Sequence, residues 1–133
     1  MQLLDHVSIS VFKLTECVEF YDAIMEALDC EKVYQTDKSL GYGVRCTVGE
    51  ENHSYLAVYE SDNANTDDAR HWCFKATSRE AVDSFYQNGI KNGGRCNGAP
   101  GLREHYHKHY YGAFLYDPSG NRVEAVFHGS VET

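Results

Sequence analysis

The chain has 133 residues, of which 42% are hydrophobic and 24% charged, and this length and composition predict one ordinary domain with a core of its own. Its 20 acidic and 12 basic residues give a net charge of −8 without a basic run, which argues against nucleic acid and anionic membranes as partners. A small molecule or another protein is therefore the expected partner. No segment has the roughly 18 successive apolar residues of a membrane helix.

The first predicted elements are a strand and a helix. In "LLDHVSISV", residues 3–11, Leu4, His6, Ser8 and Ser10 alternate with a more apolar set, as in a half-buried strand. From Leu14 the apolar residues recur at spacings of three and four, which predicts a helix with one apolar stripe. Thr15 is the expected N-cap of this helix.

Three short strands are predicted next, near residues 31–36, 42–48 and 54–60. The segments "DKSLG" and "GEEN" between them carry turn residues, so a meander is the simplest interpretation. The polar stretch "SDNANTDDAR", residues 61–70, is too long for a tight hairpin and is expected to be a surface loop. It separates the chain into two halves.

The second half repeats the order of the first. "HWCFKA" reads as a strand, and "TSREAVDSFYQNGI" as a helix in which Thr77 and Glu80 have the spacing of a capping box. "GGRCNGAPG" is expected to be a loop with a short strand, followed by the strand "YYGAFLYD", the turn "PSGN" and the final strand "RVEAVFH".

Matching positions support an internal repeat. His6 and His71 are 65 positions apart (71 − 6), Phe20 and Phe85 have the same offset, and "ECVEFY" is echoed by "EAVDSFY". Each half therefore reads as β-α-β-β-β, with modules at about 1–61 and 69–128 of a single α+β domain. One module is too small to bury its own sheet face, so the two sheets are expected to face each other and to enclose the site.

The order of these motifs resembles the vicinal oxygen chelate superfamily, which includes glyoxalase I, extradiol dioxygenases and the fosfomycin and bleomycin resistance proteins. The resemblance rests on a histidine in the first strand, "FY" in the next helix, a histidine opening the fifth strand and "DPSGNRVE" before the last strand. It covers nearly the whole chain, and "YYGAFLYDPSGNRVEAV" looks most like the glyoxalase/dioxygenase-like members. It implies paired modules forming a cupped mixed sheet around one divalent metal ion.

Carried over by position, the resemblance implicates His6, His71 and Glu124 as metal ligands. Two imidazoles and one carboxylate on a rigid sheet can occupy one face of a divalent ion and leave positions open. Some members of the superfamily have a fourth ligand on the fourth strand, but the repeat places Ala57 opposite Glu124. Glu60, the nearest carboxylate, is three residues from that position and is expected on the other face of its strand. Three ligands are therefore predicted.

The segment that precedes the seventh strand is rich in histidine. His105, His107 and His109 alternate, yet they lie in a loop-like region and are not expected to be primary ligands. With Arg103 and Lys108 they form a locally basic lip, which could attract an anionic substrate or supply an acid or base. Arg103 and His105 are the substrate-binding candidates from this lip, and His107 and Tyr110 are the catalytic candidates.

The resemblance implies an enzyme that binds two vicinal oxygens of a small molecule on one divalent metal ion: Fe(II), Mn, Ni, Zn or Co. Dioxygenase-like and glyoxalase-like, or lyase, reactions both stay open. The competing class is a binding protein that sequesters a drug or metabolite, as bleomycin resistance proteins do. Small members of the superfamily are commonly homodimers, so a homodimer is expected. The metal site then lies either within one chain or between two chains, and the sequence does not distinguish these arrangements.

The expected location is the cytoplasm. No Lys or Arg precedes Lys13, so the sequence does not suggest a secretory signal. The five cysteines, at 17, 30, 46, 73 and 96, are widely spaced and form no CxxC pair, which fits reduced thiols better than a disulfide framework.

Overall fold

The computed structural model describes residues 3–44, 47–49 and 53–130, and over these residues the order β-α-β-β-β occurs twice, as the repeat predicts. A 3₁₀ turn over Leu14–Glu16 precedes the first helix. The strands are β1 (His6–Val11), β2 (Lys32–Gln35), β3 (Ser39–Gly43), β4 (Tyr55–Glu60), β5 (His71–Lys75), β6 (Arg95–Leu102), β7 (Tyr111–Tyr116) and β8 (Arg122–Phe127), and the helices are α1 (Val18–Ala27) and α2 (Arg79–Lys91). The described part of the chain has no helix with the length and apolar character that crossing a membrane requires.

Each module forms one mixed sheet of four strands. The strand order is β1-β4-β3-β2 in the first sheet and β5-β8-β7-β6 in the second. The first strand of each module runs parallel to the last, and the remaining pairs are antiparallel. The two modules therefore have one topology, and their first and last strands lie side by side in each sheet.

The two modules share one hydrophobic core. Fully buried side chains from both sheets, such as Val11 and Leu115, belong to a single cluster with Phe20 of α1 and Phe85 of α2. Burying a large apolar side chain contributes about 2 kcal/mol, so this joint core favours folding of the modules together. The helices approach closely at Gly89, where a Cβ would lie 2.4 Å from Leu115 and 3.2 Å from Ile24.

The opposite face of each sheet points away from this core. Along β1, Ile9 and Val11 are buried, whereas the alternating His6, Ser8 and Ser10 are exposed. Along β5, Trp72 and Phe74 pack against the core, while His71, Cys73 and Lys75 are exposed. We call the faces that carry His6 and His71 the outer faces of the first and second sheet.

Two predicted segments of the first module have different bounds in the structure. The strand expected at 42–48 occurs at Ser39–Gly43, so "SLG" belongs to β3 and not to the preceding turn. Close packing requires glycine at position 41 of this strand, because a Cβ there would clash with the Tyr34 ring and the Tyr55 hydroxyl. Thr15 lies inside the 3₁₀ turn, and Cys17 occupies the N-cap of α1 without a side-chain hydrogen bond to the helix.

In the second module, the cap and one strand also differ. The N-cap of α2 is Ser78, not Thr77, because Ser78 has the extended backbone and its hydroxyl accepts from the Ala81 amide at 3.0 Å. The short strand expected near "GGRCNGAPG" is the eight-residue β6, which pairs with β7 through two irregular steps. The loop over 61–70 joins the modules as predicted.

Candidate metal centre

The second sheet brings two of the predicted ligands together. β5 and β8 run side by side, with Cys73 opposite Glu124 and His71 opposite Arg122, so the side chains of His71 and Glu124 emerge on one face. The distance from His71 Nε2 to Glu124 Oε1 is 3.2 Å. The Glu124 residue is 2% exposed, whereas the His71 side chain is 40% exposed. The pair thus consists of a buried carboxylate under an accessible imidazole.

Tyr110 holds the other oxygen of the carboxylate. Its hydroxyl donates to Glu124 Oε2, and burial together with this contact raises the pKa of Tyr110. The hydroxyl therefore keeps its proton at neutral pH and acts as a donor. Gly112 makes room for the contact, because a Cβ there would lie 3.1 Å from the Tyr110 ring and 3.2 Å from Glu124 Oε2.

Cys73 is a further neighbour of Glu124, and the sequence interpretation did not identify it as a site residue. It follows His71 by two residues on β5, faces the same way and contacts Glu124. Although the residue as a whole is exposed, desolvation of the sulfur and the charge of Glu124 raise the pKa of the Cys73 thiol to about 12. The alternation of His71 and Cys73 along a strand is the signal from which this neighbour could have been found.

His6 lies apart from this pair and has its own partners. Its Nδ1 is 2.7 Å from Asp5 Oδ1, and His53 Nε2 is 3.4 Å from the same oxygen. The ligand atoms of Asp5, His6 and His53 lie within 4.8 Å of one another; across the described residues, His6 forms no such group with His71 and Glu124. The sequence interpretation did not identify Asp5 and His53 as neighbours of His6. The position of His53 two residues before β4 is the one feature that suggests this contact, and it is a weak one.

The position of the fourth ligand found in some relatives is occupied by alanine. Ala57 lies opposite Ser8 in the first sheet, as Glu124 lies opposite Cys73 in the second. Glu60 faces elsewhere: it accepts from the Leu14 amide at 3.0 Å and forms an ion pair with Lys38. The register therefore offers no carboxylate at the fourth position of the first sheet.

The histidine-rich lip reaches the carboxylate through Tyr110. His107 Nε2 is 2.8 Å from His128 Nδ1, and the His107 ring centroid is 5.5 Å from that of Tyr110. His109 donates its backbone amide to His107 Nδ1, and His105 packs on Tyr106 with the ring centroids 4.2 Å apart. Of the lip residues, His107 is thus close to the ring that contacts Glu124, while His105 lies further out.

Arg103 extends over β6 and β7 toward the outer face of the second sheet. Its guanidinium donates to the carbonyls of Ala99 and Gly101 and lies 5.4 Å from the Phe114 ring centroid. The Phe114 ring is in turn 6.3 Å from that of His71. The aromatic ring of Phe114 therefore lies between a fixed positive charge and the imidazole.

The donor set around Glu124 suits a divalent cation. Glu124 Oε1 contacts His71 Nε2, and in the part of the chain that the structure describes the carboxylate has no ion pair with Lys or Arg. The guanidinium of Arg122, its strand neighbour, donates instead to the Asp68 carbonyl. A buried carboxylate without a cation is costly, and an imidazole with a carboxylate suits Fe(II), Mn, Ni, Zn or Co.

A family model places the chain among known proteins. The model of the Glyoxalase/Bleomycin resistance protein/Dioxygenase superfamily matches residues 3–125. The chain belongs to this superfamily. The match spans both modules, and it agrees with the α+β architecture and with the resemblance seen in the sequence. Among the curated proteins, none matches this chain.

Solved structures of the superfamily have the same fold. A glyoxalase/bleomycin resistance protein from Albidiferax ferrireducens T118 is 27% identical, with a TM-score of 0.80 over 94% of this chain and 98% of that one. A putative glyoxalase from Bacillus halodurans is 26% identical, with a TM-score of 0.66 over 95% and 96% of the two chains. The fosfomycin resistance protein FosX from Listeria monocytogenes is 16% identical and covers 100% and 95%, with a TM-score of 0.62, which supports the fold alone.

Proposed function

We propose that this superfamily member is a divalent-metal-dependent enzyme that acts on a small molecule with vicinal oxygens. His71 and Glu124 of one chain would hold the ion together with His6 of the partner subunit in a homodimer. The observation that carries the proposal is the Glu124 carboxylate, which is 2% exposed, is contacted by His71 and Tyr110 and has no Lys or Arg partner among the described residues. An ion would supply the missing positive charge.

The separation of the ligands supports the proposed homodimer. His6 lies with Asp5 and His53 and not with its own chain's His71 and Glu124. Both outer faces are exposed in the single chain, so a second copy can place one outer face against the other. In a symmetric dimer this contact occurs twice and yields two equivalent sites.

A bound ion would act as a Lewis acid that polarises two substrate oxygens. The chain supplies the remaining functions. Tyr110 keeps Glu124 oriented through its protonated hydroxyl, and His107 beside it can take up or deliver a proton through its bond to His128. Arg103 and His105 would bind an anionic part of the substrate, and Phe114 offers an apolar surface next to His71.

The reaction could be dioxygenase-like with Fe(II) or Mn, or glyoxalase-like with Ni, Zn or Co. The alanine at position 57 removes the fourth-strand carboxylate that would serve as base in a glyoxalase I reaction, which favours oxygenation or a lyase reaction with another base. The described cysteines Cys17, Cys30, Cys73 and Cys96 are free thiols, which suits a reducing compartment, and we place the enzyme in the cytoplasm.

A drug-sequestering protein is the second candidate, and the outer face of the first sheet favours it. The rings of Tyr34 and Tyr55 stack there with centroids 6.4 Å apart, and Tyr59 is 45% exposed. Such an aromatic wall binds planar ligands without a metal ion. A protein that binds such ligands equally well with and without metal would belong to this class.

The first prediction tests the metal directly. Glu124→Gln keeps the size of the side chain and removes its charge, so the fold should persist while metal affinity falls by more than the roughly 10- to 100-fold that loss of an outer contact costs. Calorimetric titration with Zn²⁺ and Co²⁺ measures the affinity, and circular dichroism checks the fold. Glu104→Gln, in the exposed lip, is the matched control. Equal affinities of Glu124→Gln and wild type would reject the metal centre.

A further inference from the structure

Asp5 connects two histidines on the outer face of the first sheet. Its Oδ1 atom lies 2.7 Å from His6 Nδ1 and 3.4 Å from His53 Nε2. Asp5 immediately precedes β1, and His53 lies two residues before β4, which pairs with β1 through His6 and Tyr55. The three side chains thus meet at the end of β1 where the predicted ligand is located.

The contact decides which nitrogen of His6 is free to bind a metal ion. A neutral imidazole has one N–H donor and one acceptor nitrogen, and the hydrogen bond of one nitrogen fixes the role of the other. When Nδ1–H donates to a carboxylate, the lone pair is left on Nε2, and the ring is held in one orientation. Asp5 therefore prepares His6 to bind through Nε2.

The two predicted histidine ligands differ in how they are held. His71 is 3.2 Å from Glu124, so its ring is oriented by a fellow ligand. The residue before it, at the repeat position of Asp5, is Arg70, whose guanidinium binds the Asn65 carbonyl. The His6 side chain is 63% exposed, and ordering so exposed a ring on metal binding costs conformational entropy unless a neighbour already restrains it.

His53 is the buried member of the group. Its side chain is 7% exposed, and its ring stacks on Tyr55 with the centroids 5.9 Å apart and the planes at 14°. Its Nδ1 is buried without a hydrogen-bond partner in the described structure, so Nε2 provides its polar contact, which is to Asp5. His53 thereby restrains an Asp5 side chain that is otherwise 68% exposed.

We propose that Asp5, restrained by His53, is a positioning residue that fixes His6 in the Nδ1–H tautomer and presents Nε2 to the metal ion. The inference rests on the proposed function, because it assigns His6 to the metal centre. The hydrogen bond in the single chain is exposed and therefore weak, and it strengthens when the second copy of the chain covers this face.

The test combines metal affinity with the tautomer of His6. In ¹⁵N-labelled metal-free protein, long-range ¹H–¹⁵N spectra of wild type should show Nδ1–H for His6, and those of Asp5→Ala the Nε2–H form that a free imidazole prefers. Affinity for Zn²⁺ should fall about 10-fold in Asp5→Ala, because the ring must be reoriented on binding. Asp5→Asn keeps an acceptor oxygen and should restore the wild-type tautomer, and Asp62→Ala is the exposed control.

The variants distinguish failure of the proposed Asp5 role from failure of the shared metal centre. An unchanged tautomer in Asp5→Ala, or wild-type Zn²⁺ affinity in Asp5→Ala while His6→Ala loses the metal, would overturn the role of Asp5 and leave the metal centre intact. Wild-type affinity in His6→Ala would overturn the shared metal centre and the role of Asp5 with it. His53→Phe keeps the stacked ring without Nε2 and should lower the affinity in the same direction as Asp5→Ala.

Discussion

The Tyr110 hydroxyl is a single contact whose loss should be measurable at the buried carboxylate. Tyr110→Phe leaves Glu124 Oε2 without its donor, which is expected to cost about 1–3 kcal/mol of stability in the metal-free protein and to lower Zn²⁺ affinity about 10-fold. Thermal melting and calorimetry measure the two effects. Tyr106→Phe is the control, because that neighbouring residue is 59% exposed. If Tyr110→Phe behaved like Tyr106→Phe in both assays, Tyr110 would not support Glu124.

At the scale of single residues, some members of the candidate site could be predicted from the sequence and others could not. His71 and Glu124 could be proposed because strand alternation and the repeat offset identify a face, and the structure brings these two together. Asp5 and His53 could not, since their contact depends on where the segment before β4 lies relative to the end of β1. Strand periodicity describes side chains within a strand, whereas these two precede their strands.

At the scale of elements, α1 is joined to the turn between β7 and β8. The Tyr21 hydroxyl donates to Asp117 Oδ2 at 2.5 Å, and the carboxylate also accepts from Ser119 N and from both nitrogens of Asn121. Asp117 is 1% exposed. Tyr21→Phe removes one of these donors and should lower the free energy of unfolding in urea by about 1–3 kcal/mol. A change within error of Tyr106→Phe would mean that this bond contributes nothing.

The same bond predicts a dependence on alkaline pH. Burial, and next the charge of Asp117, raise the pKa of Tyr21 well above its ordinary value of 10.0. Its stabilisation is therefore complete below pH 10.0 and is lost as the pH rises above it, because the unfolded chain then releases a proton that the folded chain keeps. Tyr21→Phe should show a shallower loss of stability above that pH than wild type.

Element boundaries were the less predictable part of the fold. "PSGN" predicted the turn before β8, but Gly41 suggested a turn although it lies in β3 against the side chains of Tyr34 and Tyr55. In the same way, Thr77 and Ser78 are both good caps, and the backbone conformation of Ser78 decides between them. Composition indicates which residues tolerate a turn or cap, whereas packing against distant residues determines which of them is used.

At the scale of the whole molecule, the repeat predicted two modules whose sheets enclose the site, whereas the structure joins the modules through one core and leaves His6 and His71 on the faces that point away from it. The repeat relates Phe20 to Phe85 by its 65-residue offset, and the structure packs both in one core formed by the two modules. A pattern along one chain identifies a buried face without identifying what covers it. For the same reason, the sequence could not assign His6 to its own chain or to a partner.

A metal centre shared between two chains makes a specific prediction for mixed dimers. His6→Ala and His71→Ala proteins should each bind Zn²⁺ far more weakly than wild type. In a heterodimer of the two variants, one site has its His6 from the His71→Ala chain and its His71 and Glu124 from the His6→Ala chain, so it is intact. The other site has lost both histidines.

The decisive measurement is the Zn²⁺ stoichiometry and affinity of that heterodimer, purified through two different tags and compared with wild type and with each variant alone. A centre shared between two chains predicts one site of wild-type affinity per heterodimer and none in either homodimer. No high-affinity site in the heterodimer, or a wild-type site in either homodimer, would contradict a centre formed by His6 of one subunit with His71 and Glu124 of the other.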